Sequence, residues 1–200
     1  MSTTNDKIIR TALKADLKRH HAGDEKLRIV EEFCVEHGAI RIDIAVVNGQ
    51  LHGYEIKSDR DTLLRLPEQM NAYNAVFDRV TLVVGKQHLY DAINVVPDWW
   101  GLTIAKLDEH ESVVLNLVRE AKENSSRSSV AIARLLWRAE ALQLLQNMGH
   151  ADGLRSKPRE LIYERLAEHL DQRSLGDQVR DVLFFREDWR SDAPLVLNGG

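Results

Sequence analysis

Residues 41–59, RIDIAVVNGQLHGYEIKSD, carry the strongest secondary-structure signal of this 200-residue chain. Two runs rich in β-branched and aromatic residues, Ile40–Val47 and Leu51–Lys57, are typical of strands. Asn48 and Gly49 stand between them, and this pair is a strong hairpin signal because both residues tolerate the positive φ of a tight turn. The segment therefore predicts two neighbouring antiparallel strands.

Strand alternation divides the side chains of this hairpin between a core face and an open face. Asp43 falls on the open face of the first strand, and Glu55 and Lys57 fall on that of the second. The small residues Ala45 and Gly53 accompany them and are expected to leave room for a ligand. The predicted core face consists of Ile42, Ile44, Val46, Tyr54 and Ile56.

The length of the hairpin loop determines whether the acidic side chains meet. A strict two-residue turn would place Asp43 on one face with Tyr54 instead of Glu55. A loop with an odd number of residues brings Asp43 and Glu55 together, and a three-residue loop over 47–49 with Gly49 left-handed does so. We therefore predict an odd loop or a bulge in this hairpin.

Two carboxylates on neighbouring strands are hard oxygen ligands that suit Mg²⁺ or Mn²⁺. The backbone carbonyl of Ile56 can add a third ligand to Asp43 and Glu55. Lys57 has the reach to orient or deprotonate a water, or to stabilise charge that develops on a phosphate. The alternative is a solvated cross-strand ion pair without chemistry, which is the usual meaning of such residues on one strand face.

Composition limits the classes of protein to which the chain can belong. Hydrophobic residues make up 44% and charged residues 29%, as in a folded globular protein. The single cysteine, Cys34, excludes an internal disulfide framework and suits a reducing cytoplasm. No apolar run is long enough to span a membrane, and the first residues lack an export signal. The net charge of −4 argues against a generally basic surface but allows local basic patches.

Periodicity and turn signals predict an α-β-β-β-α-β-α-β order, an α/β or α+β core. A first helix begins at Thr4 or Asn5 and ends near Gly23, and a short second helix covers residues 24–32. The predicted strands are 33–36, 40–47, 51–57, 80–84 and 101–107. The predicted later helices of this part are one with Pro67 in its first turn and one over 89–95.

Beyond residue 119 the sequence is rich in arginine and predicts only helices. Amphipathic patterns cover 130–145, a segment opened by Pro158 that extends to about Leu170, and 176–185. Acidic and basic residues are equally numerous here, which favours a helical lid whose arginines pair with acids. The alternative is a helix-turn-helix module whose phosphate contacts would be Arg155, Lys157, Arg159 and Arg165.

The hairpin motif resembles that of the PD-(D/E)XK nuclease superfamily, which has a restriction-endonuclease-like fold. Asp43 and the run 55–57 match its metal-binding motif on consecutive strands. The helix that precedes these strands in the family often supplies another acid, and Glu32 stands at the right place, with Glu31 as its neighbour. The first acid of the family often follows a proline, whereas Ile42 stands here.

A second element matches the RecB-type branch of that superfamily, which carries Gln-x-x-x-Tyr on the following helix. Gln69 and Tyr73 have this spacing, which places both side chains on one helical face. The sequence of residues 53–59 and 64–69 also resembles that of a bacterial and phage subgroup of the superfamily, which has no assigned role. The resemblance implies a nuclease-like core with an N-terminal helix over residues 1–118, and an Arg-rich helical subdomain over 119–200.

The expected function is a Mg²⁺- or Mn²⁺-dependent nuclease that hydrolyses phosphodiester bonds in DNA. In this reading Asp43 and Glu55 hold the metal, Lys57 activates the water, and Glu32 supports the metal or its water. Gln69 and Tyr73 shape the site. The alternative is a catalytically inactive nuclease-fold module that binds nucleic acid or another protein. A homodimer or a protein partner is expected if the nucleic-acid channel needs a second chain.

Overall fold

A single six-stranded sheet lies at the centre of the computed structural model, which describes residues 3–187 and residue 189. Its spatial order follows the sequence, from β1 to β6. The first three strands form an antiparallel meander, the next two run parallel to the third, and the last is antiparallel again. The strands are β1 (Arg28–Val35), β2 (Ile40–Val47), β3 (Leu51–Lys57), β4 (Arg79–Gly85), β5 (Gly101–Leu107) and β6 (Val113–Arg119).

Seven helices in the described residues cover the sheet on its two faces. They are α1 (Asp6–His20), α2 (Leu66–Val76), α3 (Leu89–Val95), α4 (Ser129–Ala133), α5 (Arg138–Asn147), α6 (Arg159–His169) and α7 (Gln172–Phe185). The result is a mixed α+β fold, which confirms the predicted fold class at that level. None of these helices combines the length and apolar composition that a membrane crossing requires.

Helix α1 covers one face of the sheet. The Asn5 side chain caps its first turn by accepting a hydrogen bond from the Ile8 N–H at 3.2 Å, as the sequence predicted. Three buried side chains at four-residue spacing, Ile9, Leu13 and Leu17, make the contact with the sheet. They meet Ile44, Val46, Tyr54, Ile56, Val83 and Ala105 in a separate apolar cluster.

The opposite face of the sheet carries the larger core. Tyr73 from α2 and Trp100 at the start of β5 are fully buried in it, and so is Tyr163 from α6. The same continuous cluster extends from Val30 to Leu183. Both parts of the chain therefore contribute to one core, and the division into residues 1–118 and 119–200 stays a prediction.

Three predicted elements differ from the structure. The helix expected over 24–32 is wrong, because Arg28–Val35 forms β1 and pairs along its length with β2. No strand is predicted directly after Leu107, yet β6 extends the sheet beyond β5. The helix expected over 130–145 is divided into α4 and α5, since the chain turns between Arg134 and Trp137.

The hairpin between β2 and β3 has the odd loop that the site hypothesis requires. The ladder runs from Val47 opposite Leu51 to Ile44 opposite Tyr54, so that three residues, 48–50, form the loop. Gly49 has φ +92°, in the left-handed region, as predicted. The loop lies one residue later than the predicted 47–49, but the parity is the predicted one.

The two faces of β2 are less regular than the alternation suggested. Ile42 packs in the larger core, whereas Ile44 packs against α1. The change coincides with an irregularity in β1, where Glu32 has φ +51° and the pair that it would form with Asp43 is missing from the β1–β2 ladder. The room expected beside Gly53 is also filled, because a Cβ there would lie 2.5 Å from Ile42 Cδ1 and 3.1 Å from Phe77.

Candidate functional site

The strands β2 and β3 separate at Asp43, and this separation forms the candidate site. The β2–β3 ladder ends at Ile44 opposite Tyr54. One residue further along, the Asp43 carboxylate takes the place of the strand backbone, and its Oδ2 accepts the Ile56 N–H at 2.6 Å. The Asp43 side chain is therefore fixed at the point where the two strands diverge.

The direction of Ile56 supports its predicted role as a carbonyl ligand. Within an extended strand, the N–H and C=O groups of one residue point toward the same neighbouring strand. Because the Ile56 N–H donates to Asp43, the Ile56 carbonyl is directed to the same side, beyond the end of the ladder. Asp43 and the Ile56 carbonyl thus face the same opening between the strands.

Glu55 is the buried acid of the site, with 2% of its surface exposed. Its Oε1 accepts hydrogen bonds from Lys57 Nζ at 2.6 Å and from Gln69 Nε2 at 2.8 Å. Its Oε2 accepts from the Tyr73 hydroxyl at 2.8 Å. The Gln-x-x-x-Tyr element on α2 and the Glu-x-Lys element on β3 therefore meet at one carboxylate.

Arg10 of α1 binds Asp43 from the other side, and the sequence analysis missed this residue. Its Nη2 lies 2.5 Å from Asp43 Oδ1, and its Nη1 donates to the Asp43 carbonyl at 2.9 Å. Asp6, one turn earlier on α1, holds the same guanidinium at 3.1 Å. The four-residue spacing of Asp6 and Arg10 was the only local signal, and it does not indicate that Arg10 reaches another element.

Glu32 does not occupy the element predicted for it. It lies on β1 instead of a helix, its side chain is 49% exposed, and it pairs with Arg10 Nη1 at 2.8 Å. Its neighbour Glu31 pairs with Lys14 of α1. Glu32 therefore reaches the site through Arg10, which itself binds Asp43, and its predicted support of the metal stays a prediction.

The electrostatics of the site reflect two carboxylates close together away from water. Burial and, secondarily, the negative charge of Glu55 raise the pKa of Asp43 to about 7, against the opposing effects of the Ile56 N–H and Arg10. Burial and the same charge of Glu55 raise the pKa of the Tyr73 hydroxyl. Tyr73 therefore stays a hydrogen-bond donor to Glu55 over the physiological range.

The donor set fits a divalent cation. Asp43 and Glu55 are hard oxygen donors, and burial, followed by the charge of Glu55, raises the pKa of Asp43. Among the described residues, the buried Gln69 Oε1 also has no hydrogen-bond partner, which leaves one more acceptor beside Glu55. Within the described part of the chain, no three His, Cys, Asp or Glu side chains group as a metal site.

The arginines of the C-terminal helices are partly tied to neighbouring acids. Arg165 lies 3.4 Å from Glu168, and Arg159 lies 3.8 Å from Glu160. Arg134 also binds Glu160, at 2.9 Å. These pairs agree with the lid interpretation for Arg159 and Arg165, and the helix-turn-helix alternative stays open for Arg155 and Lys157.

Comparison with known proteins relates the chain to phage proteins. A family described as Bacteriophage P4 protein cII matches residues 2–195. Protein cII of Enterobacteria phage P4 is 27% identical over 121 residues, which cover 60% of this chain and 46% of that protein, so the matched part spans about half of this relative's length. Among solved structures, a protein of unknown function from Silicibacter pomeroyi is similar at 22% identity and a TM-score of 0.43, covering 76% of this chain and 94% of that one.

Proposed function

This chain belongs to the bacteriophage P4 protein cII family, and we propose that it is a divalent-metal-dependent nuclease that hydrolyses phosphodiester bonds in DNA. We further propose that its core is of the restriction-endonuclease-like PD-(D/E)XK type. The observation that carries the proposal is the grouping of five side chains from three elements, two of which are the carboxylate pair itself. They are Asp43, Glu55, Lys57, Gln69 and Tyr73.

The arrangement suits phosphodiester hydrolysis because each group has a separate task. A bound Mg²⁺ or Mn²⁺ would supply a water of lowered pKa and neutralise charge on the phosphate. Asp43, Glu55 and the Ile56 carbonyl would hold it at the opening between β2 and β3. Tyr73 and Gln69 hold the Glu55 carboxylate in one orientation by hydrogen bonds to both of its oxygens.

Lys57 is the candidate for handling the attacking water. Its side chain is 13% exposed, and its ammonium group donates to Glu55 at 2.6 Å. This contact keeps a positive charge beside the carboxylate pair, where it can orient the water or stabilise the charge that develops on the phosphate.

The direct test is cleavage of labelled single-stranded, duplex and branched DNA by the full chain with Mg²⁺, Mn²⁺ or EDTA. We expect cleavage that needs the metal and that is lost in Glu55→Gln. The matched control is Glu109→Gln, which changes an exposed acid in the β5–β6 turn. Absence of cleavage of every substrate by folded protein at micromolar concentration would contradict the proposal and favour the inactive binding module.

The pKa of Asp43 predicts how metal affinity depends on pH. Since burial and Glu55 raise this pKa to about 7, a metal must displace a proton from Asp43 at lower pH. The affinity for Mn²⁺ is therefore expected to rise between about pH 6 and about pH 8, by up to about tenfold per unit below the pKa, and then to level off. Titration calorimetry in two buffers of different ionisation enthalpy measures both the affinity and the proton release.

The same pKa has a consequence for the metal-free protein. A carboxyl whose pKa is higher in the folded state than in the unfolded chain stabilises the fold at low pH, and this contribution is lost as the pH rises through the folded-state value. Added Mn²⁺ should therefore raise the melting temperature more at about pH 8 than at about pH 6. Equal affinity at both pH values would show that Asp43 does not exchange a proton for the metal.

A further inference from the structure

The two most exposed large apolar side chains of the described residues lie on segments that follow the neighbouring strands β3 and β4, at the same end of these strands. Leu64 is 87% exposed and Tyr90 is 79% exposed. Leu64 lies in the loop that follows Lys57 at the end of β3, and Tyr90 lies in α3, which follows β4. Because β3 and β4 are parallel neighbours, both segments leave the sheet at the carboxyl ends of these strands, beside the candidate site.

Hydrogen bonds hold these two segments together and keep the Leu64 loop in one conformation. Gln87, just beyond β4, donates through its side chain to the Asp59 carbonyl. Asp59 also accepts the Thr4 N–H at 2.9 Å, and Asp61 accepts the Ser58 N–H at 2.8 Å. Leu64 is therefore presented on a loop that is fixed at several points.

Cations without a carboxylate partner accompany the two apolar side chains. Arg60 and Arg65 flank Leu64, Lys86 lies between β4 and Tyr90, and all three are exposed. In the part of the chain that the structure describes, their side chains form no hydrogen bond or ion pair. Asp61, the acid between Arg60 and Leu64, is hydrogen-bonded to Ser58 within its own loop.

We propose that these five residues, Arg60, Leu64, Arg65, Lys86 and Tyr90, form a binding rim for a single-stranded or locally unstacked DNA segment. The inference rests on the proposed nuclease function and names its substrate class. Arginine and lysine side chains neutralise phosphates. An exposed leucine can insert between bases, and an exposed tyrosine ring can stack on one. A fully stacked duplex exposes no base face to the Tyr90 ring, and Leu64 could enter it only by unstacking a base step.

The test measures binding without metal, so that cleavage does not enter. Fluorescence anisotropy with a labelled single-stranded oligonucleotide compares wild type, the double variant Leu64→Ala/Tyr90→Ala, and the control Leu117→Ala. Leu117 is 61% exposed on β6, at the far edge of the sheet. The double variant should bind about 10- to 100-fold more weakly, and the control should bind like wild type. Arg60→Gln/Arg65→Gln should reduce the salt dependence of binding.

A base-analogue probe separates stacking from charge. With 2-aminopurine in the oligonucleotide, wild type should change its fluorescence on binding, and the Leu64→Ala/Tyr90→Ala variant should lose that change. Equal binding of single strand and intact duplex by wild type would overturn the proposal. So would equal weakening by the Leu117 control, or a concentration-dependent dimer that the double variant abolishes, because the apolar pair would then contact a second copy.

The outcomes distinguish this proposal from the nuclease proposal. DNA cleavage by wild type that is unchanged in the rim variants would overturn the rim and leave the nuclease. Rim-dependent binding of single strands by a protein that cleaves no substrate would support the rim and overturn the nuclease.

Discussion

Replacement of Lys57 by methionine is expected to lower the rate of metal-dependent DNA cleavage by about 10²- to 10⁴-fold, the range typical of a lost catalytic proton-transfer or charge-stabilising group. Methionine keeps most of the apolar stem of lysine but removes the ammonium group that contacts Glu55 at 2.6 Å. Glu55 retains its hydrogen bonds from Gln69 and Tyr73, so its carboxylate is still held in place.

The assay should separate chemistry from binding and folding. Initial cleavage rates at saturating DNA report the chemical step, while anisotropy without metal reports DNA binding, which is expected to stay within a few-fold of wild type. Lys106→Met is the matched control, because Lys106 is exposed on β5. A Lys57 variant that cleaves at the wild-type rate would exclude Lys57 from the reaction. Failure of both wild type and variant to cleave, with equal DNA binding, would favour the inactive module.

Replacement of Asp78 by alanine is expected to lower the free energy of unfolding by about 3–5 kcal/mol, as for a buried ion pair that loses one partner. Asp78 is 7% exposed and lies between α2 and β4. Its Oδ1 binds Arg127, and its Oδ2 binds Arg180 at 3.0 Å and the Leu51 N–H at 2.6 Å. The alanine variant leaves two mostly buried guanidinium groups and a buried N–H without this acceptor.

Asp78 also joins the two parts of the chain, which makes the form of the unfolding curve informative. Arg127 precedes α4 and Arg180 belongs to α7, whereas Leu51 begins β3. Since both parts share one core, urea unfolding should remain a single transition by circular dichroism and by tryptophan fluorescence. The control is Asp98→Ala, whose fully exposed side chain pairs with Arg119 at 3.5 Å and should change the free energy of unfolding far less than Asp78→Ala does. Equal stability of the two variants, or two separate transitions, would contradict this account.

Elements with local signals were predicted correctly. The Asn5 cap, the strands on either side of the β2–β3 loop and the helix that begins beside Pro67 all depend on residues within a few positions of one another. The odd loop was also predictable, because side chains alternate along a strand and only one parity places Asp43 beside Glu55.

Elements that depend on distant partners were not predicted correctly. The segment from Asp24 to Glu32 has an amphipathic helical pattern, but the edge of β2 pairs with it and makes most of it a strand. The break between α4 and α5 is stabilised by Glu140, which accepts the Trp137 N–H at 2.7 Å and binds Arg186 from beyond α7. Local propensity does not report such contacts.

The same distinction holds in the candidate site. Two sets of site residues could be predicted from their types and spacing, because each set lies on one strand pair or on one helix. They are Asp43, Glu55 and Lys57, and Gln69 with Tyr73. The binding of Arg10 to Asp43 could not be predicted from the sequence. The two residues are 33 positions apart and come together only when α1 packs on the sheet. The sequence shows which types of side chain a site contains. The partner of each charged side chain depends on tertiary packing, to which the whole chain contributes.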